Sequence, residues 1–267
     1  MEKGIGIEFV EKQKGEEIAQ TIARITVPAI PDLVCDLWCY EDKFGVGEGN
    51  PQADGSMILK HRHADNPQIE LTTHLIPSSD TVESLVTVTG PDEKSVRSIR
   101  RVNACWQFQN SDSFGNRGHF VRDFVNRCFV YTDRGFVRMT NTKRFPDTRR
   151  PPDHEYNSPP WVQRYVPVWE EHPGQPKASW GVSTDRPVYS LVGAVSRDGE
   201  HLAAWGCYQC SGIGQGWHDC LHLLSDLSLD YDGETSRIAS RSVFYFMEND
   251  PDELLARYKA DFSPIDR

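Results

Sequence analysis

Glycine- and aspartate-bearing turns recur along this chain between β-rich arms, and they constrain its fold more than any other feature. Residues 85–89 run into Gly90-Pro91-Asp92, and the arms 127–132 and 136–140 flank Asp133-Arg134-Gly135. The arms 189–195 and 201–205 flank Ser196-Arg197-Asp198-Gly199, and Asp232-Gly233 precedes the long run 237–247. Such turns close hairpins because their residues tolerate the backbone angles that a tight reversal requires. The alternation of strands with helices that a parallel sheet needs is missing. The expected fold is therefore all-β and antiparallel.

The remaining arms fit the same plan. Residues 4–10 alternate as a strand, and 33–40 read as a buried one. Segment 16–27 suits a helix through Ile18, Ile22 and Ile25 and a strand through Ile22, Thr26 and the pre-proline Val27; the β-rich context favours the strand. A helix is expected only near the end, where Asn249 or Asp250 can cap, Pro251 fits the first turn, and Leu254, Leu255 and Tyr258 supply an apolar face. No composition break divides residues 1–267, so one β-sandwich domain is expected. Within it, residues 146–177 form a proline-rich loop carrying Tyr156, Trp161, Tyr165 and Trp169, expected to cover a cleft or a sheet edge.

A net charge of −10 argues against nucleic-acid and anionic-membrane partners. The single basic run 94–101 reads as a solvated face. No apolar run approaches the roughly 20 residues that cross a bilayer, and the N-terminus lacks the apolar core of a secretion signal. A cytoplasmic location is expected if the start is native, although a mature form whose signal had been removed would look the same. The seven cysteines are expected to be reduced.

Chemistry concentrates in two places. The stretch 204–222, AWGCYQCSGIGQGWHDCLH, places Trp217, His218, Asp219, Cys220 and His222 after a glycine-rich loop. It holds an acid, two imidazoles and a thiol, the residue types used for proton transfer. The hairpin 57–76 turns at Ala64-Asp65-Asn66-Pro67. Symmetric closure would set His61 opposite Glu70 and place His61, His63, Glu70, Thr72 and His74 on one face. The expected catalytic residues are His218, Asp219, His222, His61 and Glu70. The expected substrate-binding residues are Trp106, Gln107, Arg127, Trp161, Tyr165, Trp217, His63 and His74, since flat aromatic faces beside polar groups suit a sugar ring. His61, Glu70, Trp106, Gln107, Trp217 and His218 are expected to line one pocket, capped by the loop around Trp161 and Tyr165. No cofactor is expected. A divalent metal at His61, His63, Glu70 and His74 is the alternative, and Cys207-x-x-Cys210 with Cys220 and His222 is a weaker zinc pattern.

The segments LKHRHADNPQIELTTHLIP, VNACWQFQ, FVNRCFVYTDRGF, WVQRYVPVW, WHDCLH and VFYFMENDPDELLARYKADF resemble a group of uncharacterised bacterial β-supersandwich proteins similar to galactose mutarotase and related carbohydrate-active proteins. The resemblance implies a galactose mutarotase-like supersandwich with a short C-terminal helix. It also implies histidine and glutamate as acid and base, roles that His218 or His61 and Glu70 could fill. The expected function is that of a carbohydrate-active enzyme, epimerase-, lyase- or hydrolase-like, acting by acid/base chemistry on a sugar or glycoside. The alternatives are a non-catalytic carbohydrate-binding module and a metal-dependent cupin-like enzyme.

Overall fold

The computed structural model describes residues 4–14, 17–30, 32–39, 44, 46–99, 101–115, 124–143, 163–172, 181–215, 219–226 and 237–262. They form seventeen strands: β1 (Gly6–Lys14), β2 (Glu17–Thr26), β3 (Val34–Cys39), β4 (Glu48–Pro51), β5 (Met57–Arg62), β6 (Glu70–Pro77), β7 (Thr81–Thr89), β8 (Arg101–Gln107) and β9 (Cys128–Thr132). After them come β10 (Gly135–Arg138), β11 (Gln163–Tyr165), β12 (Gly181–Val182), β13 (Pro187–Val195), β14 (His201–Cys207), β15 (Cys210–Gln215), β16 (Cys220–Asp226) and β17 (Arg237–Glu248). The α-helices described in full are α1 (Glu93–Arg97) and α2 (Pro251–Asp261), and Met139–Asn141 form a 3-10 turn. No helix among the described residues is long and apolar enough to cross a membrane.

Two sheets result. The first has the order β1-β2-β3-β8-β16-β15-β11-β12, and the second β10-β9-β13-β14-β17-β7-β6-β5-β4. Every described pairing is antiparallel except β11 with β12. The expected all-β antiparallel fold with a short C-terminal helix is what the chain adopts. The ambiguous segment is indeed a strand, β2, held between β1 and β3.

Period-two alternation builds the layers. In β8, Val102, Ala104 and Trp106 turn inward, and in β16 Leu221 and Leu223 do the same. They meet Trp205, Phe244 and Phe246 of the second sheet in one apolar core, with the Trp106 and Phe244 rings 5.0 Å apart. The second sheet is also covered outside. Leu202, Ala204, Val243 and Tyr245 pack with Leu254 and Tyr258 of α2, which explains why β14 and β17 are apolar on both faces. Asp250 starts α2 by accepting hydrogen bonds from the N–H groups of Asp252 and Glu253 at 3.1 and 3.0 Å.

The β9–β10 and β13–β14 turns form as expected, with Gly135 and Gly199 at φ +82° and +83°, angles that glycine adopts without a side-chain clash. The β5–β6 hairpin departs from expectation by one residue. Arg62 pairs with Glu70, His61 with Leu71 and Leu59 with Thr73. The His63 N–H donates to the Ile69 carbonyl at 3.0 Å, so the loop closes asymmetrically. A one-residue slip exchanges faces. This register puts Met57, Leu59, Leu71 and Leu75 into the core together, and burying all four outweighs a symmetric turn.

Candidate functional site

That register separates the expected histidine face. His61 and His63 point inward, 1% and 8% exposed, while Glu70, Thr72 and His74 occupy the outward face of the second sheet. The Nε2 of His61 lies 3.3 Å from the hydroxyl of Thr21 on β2. Burial lowers its pKa to about 4. His63 packs edge-on against Phe44, and its Nδ1 accepts the Asp65 N–H at 3.2 Å. His74 reaches the Ser56 hydroxyl at 2.9 Å, and Glu70 accepts from Thr72. The four residues expected as an alternative metal site therefore lie on opposite faces of the sheet and cannot close on one ion.

Other expected residues are structural. Trp106 is fully buried against Phe108, Phe244 and Phe246. Tyr165 is fully buried, its hydroxyl 2.7 Å from that of Thr142; it belongs to the core and not to a pocket cap. The Arg127 guanidinium donates to the carbonyls of Val195 and Phe114. Asp219 is buried, its carbonyl accepts the Phe108 N–H at 2.7 Å, and its charge acts on the Cys128 thiol. Cys207 and Cys210 are core residues, away from Cys220 and His222. Trp161, Trp217 and His218 lie outside the described residues.

What the structure does assemble is the outward face of the first sheet. Since Leu221 and Leu223 face the core, Cys220 and His222 face out; on β8 the same rule turns Cys105 and Gln107 out, and on β3 Asp36 and Trp38. Register partners share a face. One transverse row runs Arg164, Gly214, His222, Cys105, Trp38. The next runs Cys220, Gln107, Asp36, Arg24.

The rows are bonded into one surface. The Sγ of Cys220 is 3.5 Å from the Nε2 of His222, and the Gln107 amide donates to the Cys105 sulfur at 3.4 Å. Arg24 grips Asp36 through two bonds of 2.9 and 3.1 Å, and Asn110 adds a third at 2.8 Å. The Asp36 carboxylate in turn raises the pKa of Arg24. Asp36, Cys105, Gln107 and Cys220 are all buried, while His222 and Trp38 stay half-buried. Imidazole, carboxylate, thiol, amide and indole side chains thus share one face, the residue types that hydrogen-bond a polar ligand and move a proton.

Comparison adds little to this geometry. No protein-family model and no curated protein matches the chain. Among solved structures, the chain is similar to that of a "putative aldose 1-epimerase" from Escherichia coli K12, with 7% identity over 92% of this chain and 100% of the other and a TM-score of 0.38. A likeness at that level bears on neither activity nor substrate.

Gln107 and His222 were legible as polar residues in apolar strands. Trp38 stands among the tryptophans near polar residues that suit a sugar ring, whereas Cys105, Asp36 and Arg24 carry no local signal of their own. The available signal was alternation: once Val102, Ala104 and Trp106 are assigned inward, Cys105 and Gln107 must share the other face.

Proposed function

We propose that the protein is a carbohydrate-acting enzyme that transfers protons on a sugar at the outward face of its first sheet. The supporting observation is the pair of rows that sets His222, Cys105 and Trp38 beside Cys220, Gln107 and Asp36. The flat face of Trp38 suits the C–H face of a sugar ring, and the Gln107 amide suits its hydroxyls. Asp36, held by Arg24 and Asn110, positions its neighbours and does not itself react. The His222 cluster supplies the proton-transfer group. His218, four positions earlier in the sequence, is the second imidazole of this reading.

A non-catalytic sugar-binding module is the second reading. It is favoured by a cavity of about 570 Å³ lined by Trp169, Tyr189, Tyr208 and Tyr258, with Tyr208 58% exposed. Hydrogen exchange from heavy water into a panel of aldoses and glycosides, followed by proton NMR, separates the two. An enzyme exchanges a carbon-bound proton or speeds interconversion of the anomers, both read in the same spectra, and loses this in His222→Ala. Binding with neither exchange nor faster anomer interconversion on any sugar, or either one unchanged in His222→Ala, rejects the catalytic reading.

A further inference from the structure

We propose that Cys105, Cys220 and His222 bind a zinc ion through two thiolates and one imidazole. The inference deepens the proposed function, because it concerns the same face. The possible ligand atoms of the three residues all lie within 4.8 Å of one another. Zinc bonds of about 2.3 Å to sulfur and about 2.05 Å to nitrogen, at a tetrahedral angle, set the two atoms about 3.6 Å apart. The Cys220 sulfur and His222 Nε2 are separated by 3.5 Å.

The backbone holds this arrangement without a flexible loop. Cys220 and His222 are two apart on β16, so they share a face, and Cys105 is the direct register partner of His222 on β8. Gly214, the partner of His222 on its other side, adds no side chain to that face. A second observation points the same way: the Gln107 amide donates a hydrogen bond to the Cys105 sulfur. A donor aimed at a buried sulfur favours its thiolate, the form that ligates metal, and outer-shell bonds of this kind orient ligands in zinc sites. Two thiolates offset the charge of a divalent ion, so the buried site is close to neutral. Thiolate and imidazole donors select zinc over magnesium or calcium, which take oxygen. With zinc bound, the His222 imidazole is a ligand, and a water on the ion, acidified toward neutral pH, would supply the proton-transfer group of the same cluster.

The test uses the full chain, stripped with a chelator and titrated with zinc, then with cobalt as a spectroscopic probe. The expected result is one metal per chain, a thiolate-to-cobalt charge-transfer band, and a zinc-dependent rise in melting temperature. Cys220→Ser and His222→Gln lose all three signals, whereas Cys207→Ser keeps them. Gln107→Ala weakens zinc binding about 10- to 100-fold. Circular dichroism identifies any variant that fails to fold, and His222→Gln then stands in for a misfolded cysteine variant. Wild-type protein that takes up no more zinc than His222→Gln overturns the inference. Sugar exchange without bound zinc overturns it too but leaves the proposed function standing. Bound zinc without exchange on any sugar does the reverse.

Discussion

The imidazole of His61 and the hydroxyl of Thr21 lie 3.3 Å apart across the two sheets. The same hydroxyl accepts the Gly47 N–H at 3.0 Å, so a single threonine joins β2, β5 and the approach to β4. His61 is nearly inaccessible, which leaves its neutral form favoured.

Its pKa falls from 6.5 to about 4 on folding. A histidine whose pKa is depressed contributes stability that is fully present above pH 6.5 and is lost as the pH falls toward 4. The loss is about 3 kcal/mol. Urea denaturation at several pH values should show this acid weakening in the wild type and a smaller one in His61→Gln. Equal pH dependence in both would show that another group is responsible.

Trp106 should affect stability and not substrate recognition. It fills the space between the sheets, with the Phe108 and Phe244 rings at 4.5 and 5.0 Å. Trp106→Ala should cost about 3–5 kcal/mol, the usual range for removing a buried large aromatic side chain. Thermal or urea unfolding measures it; a change in sugar affinity at unaltered stability would contradict this placement.

Tyr258 ties α2 to the second sheet. Its hydroxyl accepts the Ser190 N–H at 3.1 Å and donates to the Cys207 carbonyl at 2.9 Å. Tyr258→Phe leaves both backbone groups unsatisfied and should destabilise the protein by about 1–3 kcal/mol. Amide hydrogen exchange should show the Ser190 N–H losing protection before its neighbours do.

The two histidine groups should separate functionally. His222→Ala should lower proton exchange on a responsive sugar by on the order of 10²–10⁴. Glu70→Gln and His74→Ala, on the outward face of the other sheet, should leave exchange unchanged. Loss of exchange in Glu70→Gln would return the site to the β5–β6 hairpin.

The sequence by itself determined the class of fold. Turn residues such as Gly135 and Gly199 specify local backbone angles, and local alternation specifies a strand whatever it later packs against. Asp250 and Pro251 likewise start α2 through contacts within a few residues. The site needed the tertiary structure, because facing is a relation between distant strands. One residue of register at 63–69, decided by the burial of Leu59 and Leu71 together, moved His61 away from Glu70. Pairing β8 with β3 and β16 brought Cys105 to His222 and Trp38 from segments far apart in the chain. Inspection of either segment alone shows apolar strands with stray polar residues; only their shared face makes those residues a site.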